Sequence, residues 1–192
     1  MRFPISGERG LHNKEGVVHD FYKYLHDNLS VNGIPISGDV FGIILVTPTE
    51  AKSIGQDLHD ALQYFDYVAP MVYPSHFYPG TDNYKNPADH PGEIIDYSMK
   101  GATVIAGDLA KRFRPKTGTS TVETQVEPVD ASLYATSTYM AKLRPWYQDF
   151  DMGAKYTAEM VRAQITAGEK SNVNSWMLWD PANHYTPSAL KN

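Results

Sequence analysis

A parallel α/β fold of the (β/α)8 barrel type is what this sequence predicts, and three observations carry the prediction. Apolar stretches that suit strands buried on both faces alternate with stretches whose apolar residues recur at helical spacing. Each apolar stretch closes on polar residues: Asp39, then Ser75 and His76, then Gln148 and Asp149, then Asp180. Polar residues gathered at strand ends are what the rim of a barrel shows. No glycine-rich phosphate loop follows any of these stretches, which argues against the alternative of a doubly wound nucleotide-binding sheet.

The organising stretch is Tyr64–His76, almost unbroken in its apolar and aromatic character until Tyr73, Ser75 and His76. Its opposite end carries Asp66, which reads as a cap or anchor of the strand. Taken alone, the stretch fits a core strand running into a loop equally well. Composition narrows the classes. With 192 residues, 42% hydrophobic and 20% charged, the chain buries one core and makes one domain. A net charge of -5 leaves no basic face for phosphate backbones, so no nucleic-acid partner is expected and a small polar or neutral ligand fits better. No apolar run is long enough for membrane insertion. The absence of cysteine removes disulfides, thiolate nucleophiles and Cys-type zinc sites, and leaves localisation open.

In chain order, Met1–Pro4 resembles the last residues of a strand, so the reading frame is expected to be truncated. Val17–Leu29 carries helical spacing; His19 and His26 share its face, and with no carboxylate at ligand spacing they are expected at the surface, with no metal bound. Gly33–Gly42 is a short strand with Asp39 flanked by small residues, which makes Asp39 the first catalytic candidate and a turn former on the plainer reading. Ile43–Val46 extends it or forms a second short strand, and Thr49–Ala61 is expected as one helix. After the central strand, Phe77–Pro91 is a long loop whose Tyr78 and Tyr84 suit stacking on flat ligands or pinning of the loop itself. Gly92–Phe113 is expected as a helix with Ile94, Ile95, Met99, Val104, Ile105 and Leu109 inward, and residues 114–130 as a mobile insertion. Leu143–Asp151 is the next strand, where period-two alternation sends Trp146 and Gln148 one way and Tyr147 and Asp149 the other. A helix over Tyr156–Ala167 and a last strand from Trp176 into Asn183 complete the pattern.

These residues also carry a resemblance. Phe65–His76, Arg144–Phe150, Val161–Ile165 and Trp176–Asp180, in this order, resemble DUF4015, a family of glycoside hydrolase type. The resemblance implies a TIM barrel that acts on carbohydrate at or outside the cell envelope. Arg2-Phe3-Pro4 corresponds to the end of one strand of that family and Ile36–Gly42 to the next, so the likeness spans nearly the whole chain but only the second half of the barrel. The expectation is therefore one partial barrel domain over residues 1–192, with about five parallel strands near residues 1–4, 34–41, 65–73, 143–149 and 175–179. The sequence departs from the family in lacking the acid two positions before Arg2, in carrying Asp180 where Asn is usual, and in the insertion at 114–130.

Glycoside hydrolysis uses two carboxyl groups, ~5 Å apart for retention and roughly 6.5 to 9.5 Å for inversion. Asp39 and Asp149 are the expected catalytic pair. Arg2, Tyr73, His76, Gln148, Asp180 and Asn183 are expected to orient sugar hydroxyls. Trp146 and Trp179 offer stacking faces, or serve equally well as core. No cofactor is expected. The competing class is a carbohydrate-binding or structural remnant without catalysis, and exposed barrel edges invite self-association.

Overall fold

In the computed structural model, which describes residues 14–112 and 131–190, four strands form one sheet. They are β1 (Ser37–Phe41), β2 (Tyr67–Val72), β3 (Trp146–Gln148) and β4 (Met177–Trp179), all parallel and neighbours in chain order. The strand expected near residues 1–4, including Arg2, and the insertion at 114–130 lie outside the described residues.

Hydrogen-bonding chemistry explains where the ladders stop. Tyr67 N–H donates to the Ile36 carbonyl, so alternate residues of β2 face β1 and the others, Val68, Pro70 and Val72, face β3. Pro70 has no N–H to give, and the β2–β3 pairing is accordingly split into a lone Val68–Leu143 bridge and a ladder that resumes at Met71–Trp146. That is why β3 is shorter than the apolar stretch around it. At the other end Asp66 anchors the sheet as expected: its Oδ2 accepts the Ile36 N–H at 2.8 Å.

The described residues form six α-helices: α1 (Lys14–Leu29), α2 (Pro48–Ile54), α3 (Leu58–Tyr64), α4 (Pro91–Arg112), α5 (Ala131–Met140) and α6 (Ala158–Lys170). Three local expectations are corrected. The residues after β1 form a 3-10 turn, Gly42–Leu45, not more strand. The single helix expected over 49–61 is two, broken where Gly55 takes φ 81° and Asp57 restarts the chain by accepting the His59 N–H at 2.8 Å. In α4 the inward stripe runs through Ile95, Met99, Ala102, Ala106 and Leu109, and Val104 falls off it, 67% exposed. No described helix is long and apolar enough to cross a membrane.

The core lies between the sheet and these helices. Val40, Val68, Val72 and Tyr147 point into it, with Ile94, Ile95, Met99, Val161 and Ile165 opposite. Side chains of the intervening strand residues point away from the helices.

Contact between α4 and the turn after β1 depends on Gly101, where an added Cβ would overlap the Leu45 carbonyl oxygen. Alanine is favoured over glycine in a helix by about 1 kcal/mol, but overpacking against backbone costs ~1–3 kcal/mol. Gly101→Ala is therefore expected to lower stability in urea unfolding, and a gain would show that the helix can shift.

Candidate functional site

The sheet face turned away from the helices is open. Alternation along β1 puts Ser37, Asp39 and Phe41 on it, and Phe41 is 53% exposed. Trp146 and Trp179 meet edge to face with ring centroids 5.9 Å apart, and Trp179 is 41% exposed. Trp176 and Tyr147, next to them in sequence, stack on each other at 6.3 Å, with Tyr147 buried in the core. Trp146 is half-buried and Trp179 exposed on this face. The indole Nε1–H of Trp146 donates to Asp39 Oδ1 at 3.2 Å, tying the carboxylate to this aromatic surface.

Tyr73 and His76 stand where the chain leaves β2. Burial first, then the charges of Asp39 and Tyr185, push the Tyr73 phenol up to about 12, so it is an O–H donor throughout the physiological range. The His76 ring lies 5.4 Å from that of Tyr73 and 6.1 Å from Phe150, and Tyr73 and Phe150 are 5.6 Å apart, all edge to face. Burial holds the His76 imidazole below its ordinary range, which favours the neutral ring at pH 7. Ser75 Oγ is 3.1 Å from its Nδ1.

The expected pairing of Asp39 with Asp149 is not what the geometry gives. Asp39 sits opposite Ala69, and Met71 sits opposite Trp146, so the level of Asp39 reaches β3 at Arg144, five residues before Asp149. At about 3.3 Å per residue this is ~16 Å along the strands, before adding the two strand spacings between them. Asp149 is also fully engaged elsewhere: it is buried, its Oδ2 accepts the Thr186 N–H and its Oδ1 the Thr186 Oγ1–H, both at 2.7 Å.

Other expected sugar ligands turn out to hold backbone. Gln148 is wholly buried, its Oε1 accepting from Ser75 N at 3.1 Å and its Nε2 donating to the Phe150 carbonyl at 3.0 Å. Asp180 caps its own turn through Oδ1, which accepts from Ala182 N at 2.6 Å and His184 N at 3.3 Å. Asn183 sits exposed in that turn at φ 58°. Asp149 and Asp180, with Asp151, Tyr156 and His184, line a polar cleft of about 280 Å³ beyond the ends of β3 and β4, and Asp39 takes no part in it. Among the described residues no group of three or more His, Cys, Asp or Glu is placed to hold a metal. His19 pairs with Asp60 at 2.9 Å and His26 Nδ1–H donates to the Tyr64 carbonyl at 2.9 Å.

Sequence reading missed the partners that organise this region. Thr186 lies in a polar segment with no periodic signal, and Gln164 is, by pattern alone, one more residue of a helix. Phe150 and Tyr185 belong to the site through tertiary contact, which local pattern does not reveal.

The family model DUF4015, described as "Putative glycosyl hydrolase domain", matches residues 2–125 and 118–185. Among solved structures the chain is similar to the PgaB (BpsB) glycoside hydrolase domain from Bordetella bronchiseptica, with a TM-score of 0.53 at 15% identity. That match covers 92% of this chain and 40% of the other, so this chain spans less than half the length of the solved relative. At such identity the likeness is one of fold: the four parallel strands and their helices correspond to part of a glycoside hydrolase domain. No curated protein matches. The matched residues take in most of the chain, and the chain belongs to the DUF4015 glycosyl hydrolase family.

Proposed function

We propose that this chain forms part of a carbohydrate-cleaving barrel in which Asp39 is one of the two reacting carboxyl groups and the open sheet face is the sugar-binding surface. The observation that carries this reading is the position of Asp39, on an exposed face, hydrogen-bonded by the indole of Trp146 and beside Trp179. Indole rings bury the apolar faces of sugar rings, and a carboxyl group held next to them is within reach of a glycosidic oxygen. Tyr73, protonated and near enough to feel the Asp39 charge, and His76, neutral, supply hydroxyl-directed hydrogen bonds where the chain leaves β2. Within the described strands no second carboxylate shares the face with Asp39. The partner acid is therefore assigned outside the described strands.

The same lack of a second acid favours one other reading, a surface that binds polysaccharide without cleaving it. Two substitutions separate the roles. Asp39→Asn retains an acceptor for Trp146 and is expected to lower kcat on soluble polysaccharides by ~100-fold or more with little change in KM, the size of a lost general acid. Asp149→Asn is expected instead to weaken the Thr186 anchor, lowering stability by about 1.5–3 kcal/mol, the range for hydrogen bonds to a charged group, while the rate per folded molecule holds. Unchanged kcat in Asp39→Asn sinks the catalytic assignment; tryptophan quenching by polysaccharide with no hydrolysis, in a chain extended to the length of the whole domain, supports the binding-only reading.

Exposure of Phe41, Tyr67 and Trp179 on one face also supports self-association of the 192-residue chain. Light scattering is expected to give a mass above that of one chain, falling in Phe41→Glu; a monomer at all concentrations would count against it.

A further inference from the structure

We propose that Gln148 and Gln164 form a two-amide latch that locks the loop leaving β2 against the loop leaving β3, and so positions the Tyr73, His76 and Phe150 wall of the candidate site. Gln148 is on this account a positioning residue and not a sugar ligand. The inference rests on the proposed function only for the use of that wall; the latch itself is independent of it.

The sheet has a gap where β2 ends. On β3, Asp149 N–H donates to the Trp179 carbonyl and Pro145 accepts from Met177 N–H, so odd-numbered residues pair with β4. The backbone of Gln148 must then face the β2 side. But β2 ends at Val72, and the chain turns away through Pro74–His76. The last rung sets Val72 against Tyr147, and the next N–H that this side would offer belongs to Pro74, which has none, so the C=O of wholly buried Gln148 is left without a strand donor.

Gln164, on α6 and also wholly buried, fills the gap. Its Oε1 accepts from Gln148 N at 2.9 Å and its Nε2 donates to Gln148 O at 2.7 Å, so one carboxamide stands in for the missing peptide of β2. The side chain of Gln148 is thereby aimed at the two loops. Its Oε1 takes the Ser75 N–H and its Nε2 gives to the Phe150 carbonyl. Both ends of the ring cluster are gripped by one amide, since Ser75 precedes His76 and Phe150 carries the third ring. Only a carboxamide of this length does both jobs: glutamate has no donor, methionine has neither group, and asparagine is too short. Wholly buried and bonded at both Oε1 and Nε2, the Gln148 amide is not presented to a sugar.

The first test uses the unsubstituted chain. Ser75 N–H has the Gln148 side chain as its partner, so native-state hydrogen exchange is expected to show it protected to a degree comparable with Gln148 N–H in the adjoining strand. Exchange at the rate of an open loop would overturn the latch. The second test reads the wall directly by following His76 through its NMR titration, the resonance assigned by its loss in His76→Asn. Gln148→Met is expected to speed Ser75 exchange at least tenfold and to move the His76 midpoint upward, toward the ordinary ~6.5, as the loop loosens and the ring meets water. Thr157→Ala, which removes the side-chain cap of α6, is the control: it destabilises the same helix without touching the latch and is expected to leave the His76 midpoint unchanged. A shift of equal size in both variants, or in neither, would overturn the proposal. If Gln148→Met does not fold, the exchange test and Gln164→Met, which frees the Gln148 backbone alone, decide the matter. Latch readouts that hold while Asp39→Asn leaves polysaccharide hydrolysis unchanged would sink the proposed function and leave the latch standing.

Discussion

Everything in this sheet follows from its parallel register. Ser37 lies against Tyr67, Met71 against Trp146 and Gln148 against Trp179, and each pairing fixes by period two which face a side chain takes. A slip of one residue would send Val40, Val68 and Tyr147 into solvent and bring Asp39 into the core, where an unpaired carboxylate is far costlier than any packing gained. The register is held at one end by Asp66 on the Ile36 amide and by Lys142, whose amine donates to the Leu62 and Phe65 carbonyls. Burial of that amine pulls the Lys142 pKa downward, the energetic mark of a cation withdrawn from water to close a helix end.

The polar residues at the strand ends divide accordingly into supports and a free group. A buried donor or acceptor left unmade costs ~1–3 kcal/mol, and Gln148, Asp149 and Asp180 are each spent satisfying backbone N–H groups or carbonyls. Asp39 differs. It stands mid-strand on an exposed face, where the indole N–H of Trp146 donates to it. Chemistry at a site needs a group that is positioned without being consumed by the fold, and Asp39 fits that description better than the acids beyond β3 and β4.

Much of the fold was legible because apolar runs and helical stripes are local. The stretches around β2 and β4, the helices α1, α4 and α6, and Asp66 as an anchor all follow from period and burial. Boundaries were not legible where a single residue decides them. Pro70 looks ordinary inside an apolar run, yet facing β3 it splits a ladder, and Gly55 divides what reads as one helix. Helix α5 was missed because residues 131–140 carry little amphipathic pattern. The candidate site was half legible. Alternation correctly separated Trp146 and Gln148 from Tyr147, but composition at a strand end does not say whether an acid points at a ligand or at Thr186.

The central claim is that the open face carrying Asp39 is where carbohydrate docks. The most direct measurement is the set of indole N–H signals in a 1H-15N spectrum, since the chain has three tryptophans and they divide between the faces. On titration with soluble oligosaccharides the account predicts that Trp146, bonded to Asp39, and the exposed Trp179 shift together with saturation, while Trp176, stacked on Tyr147, stays in place. Movement of Trp176 alone, or of none of the three while the sugar binds, would contradict it.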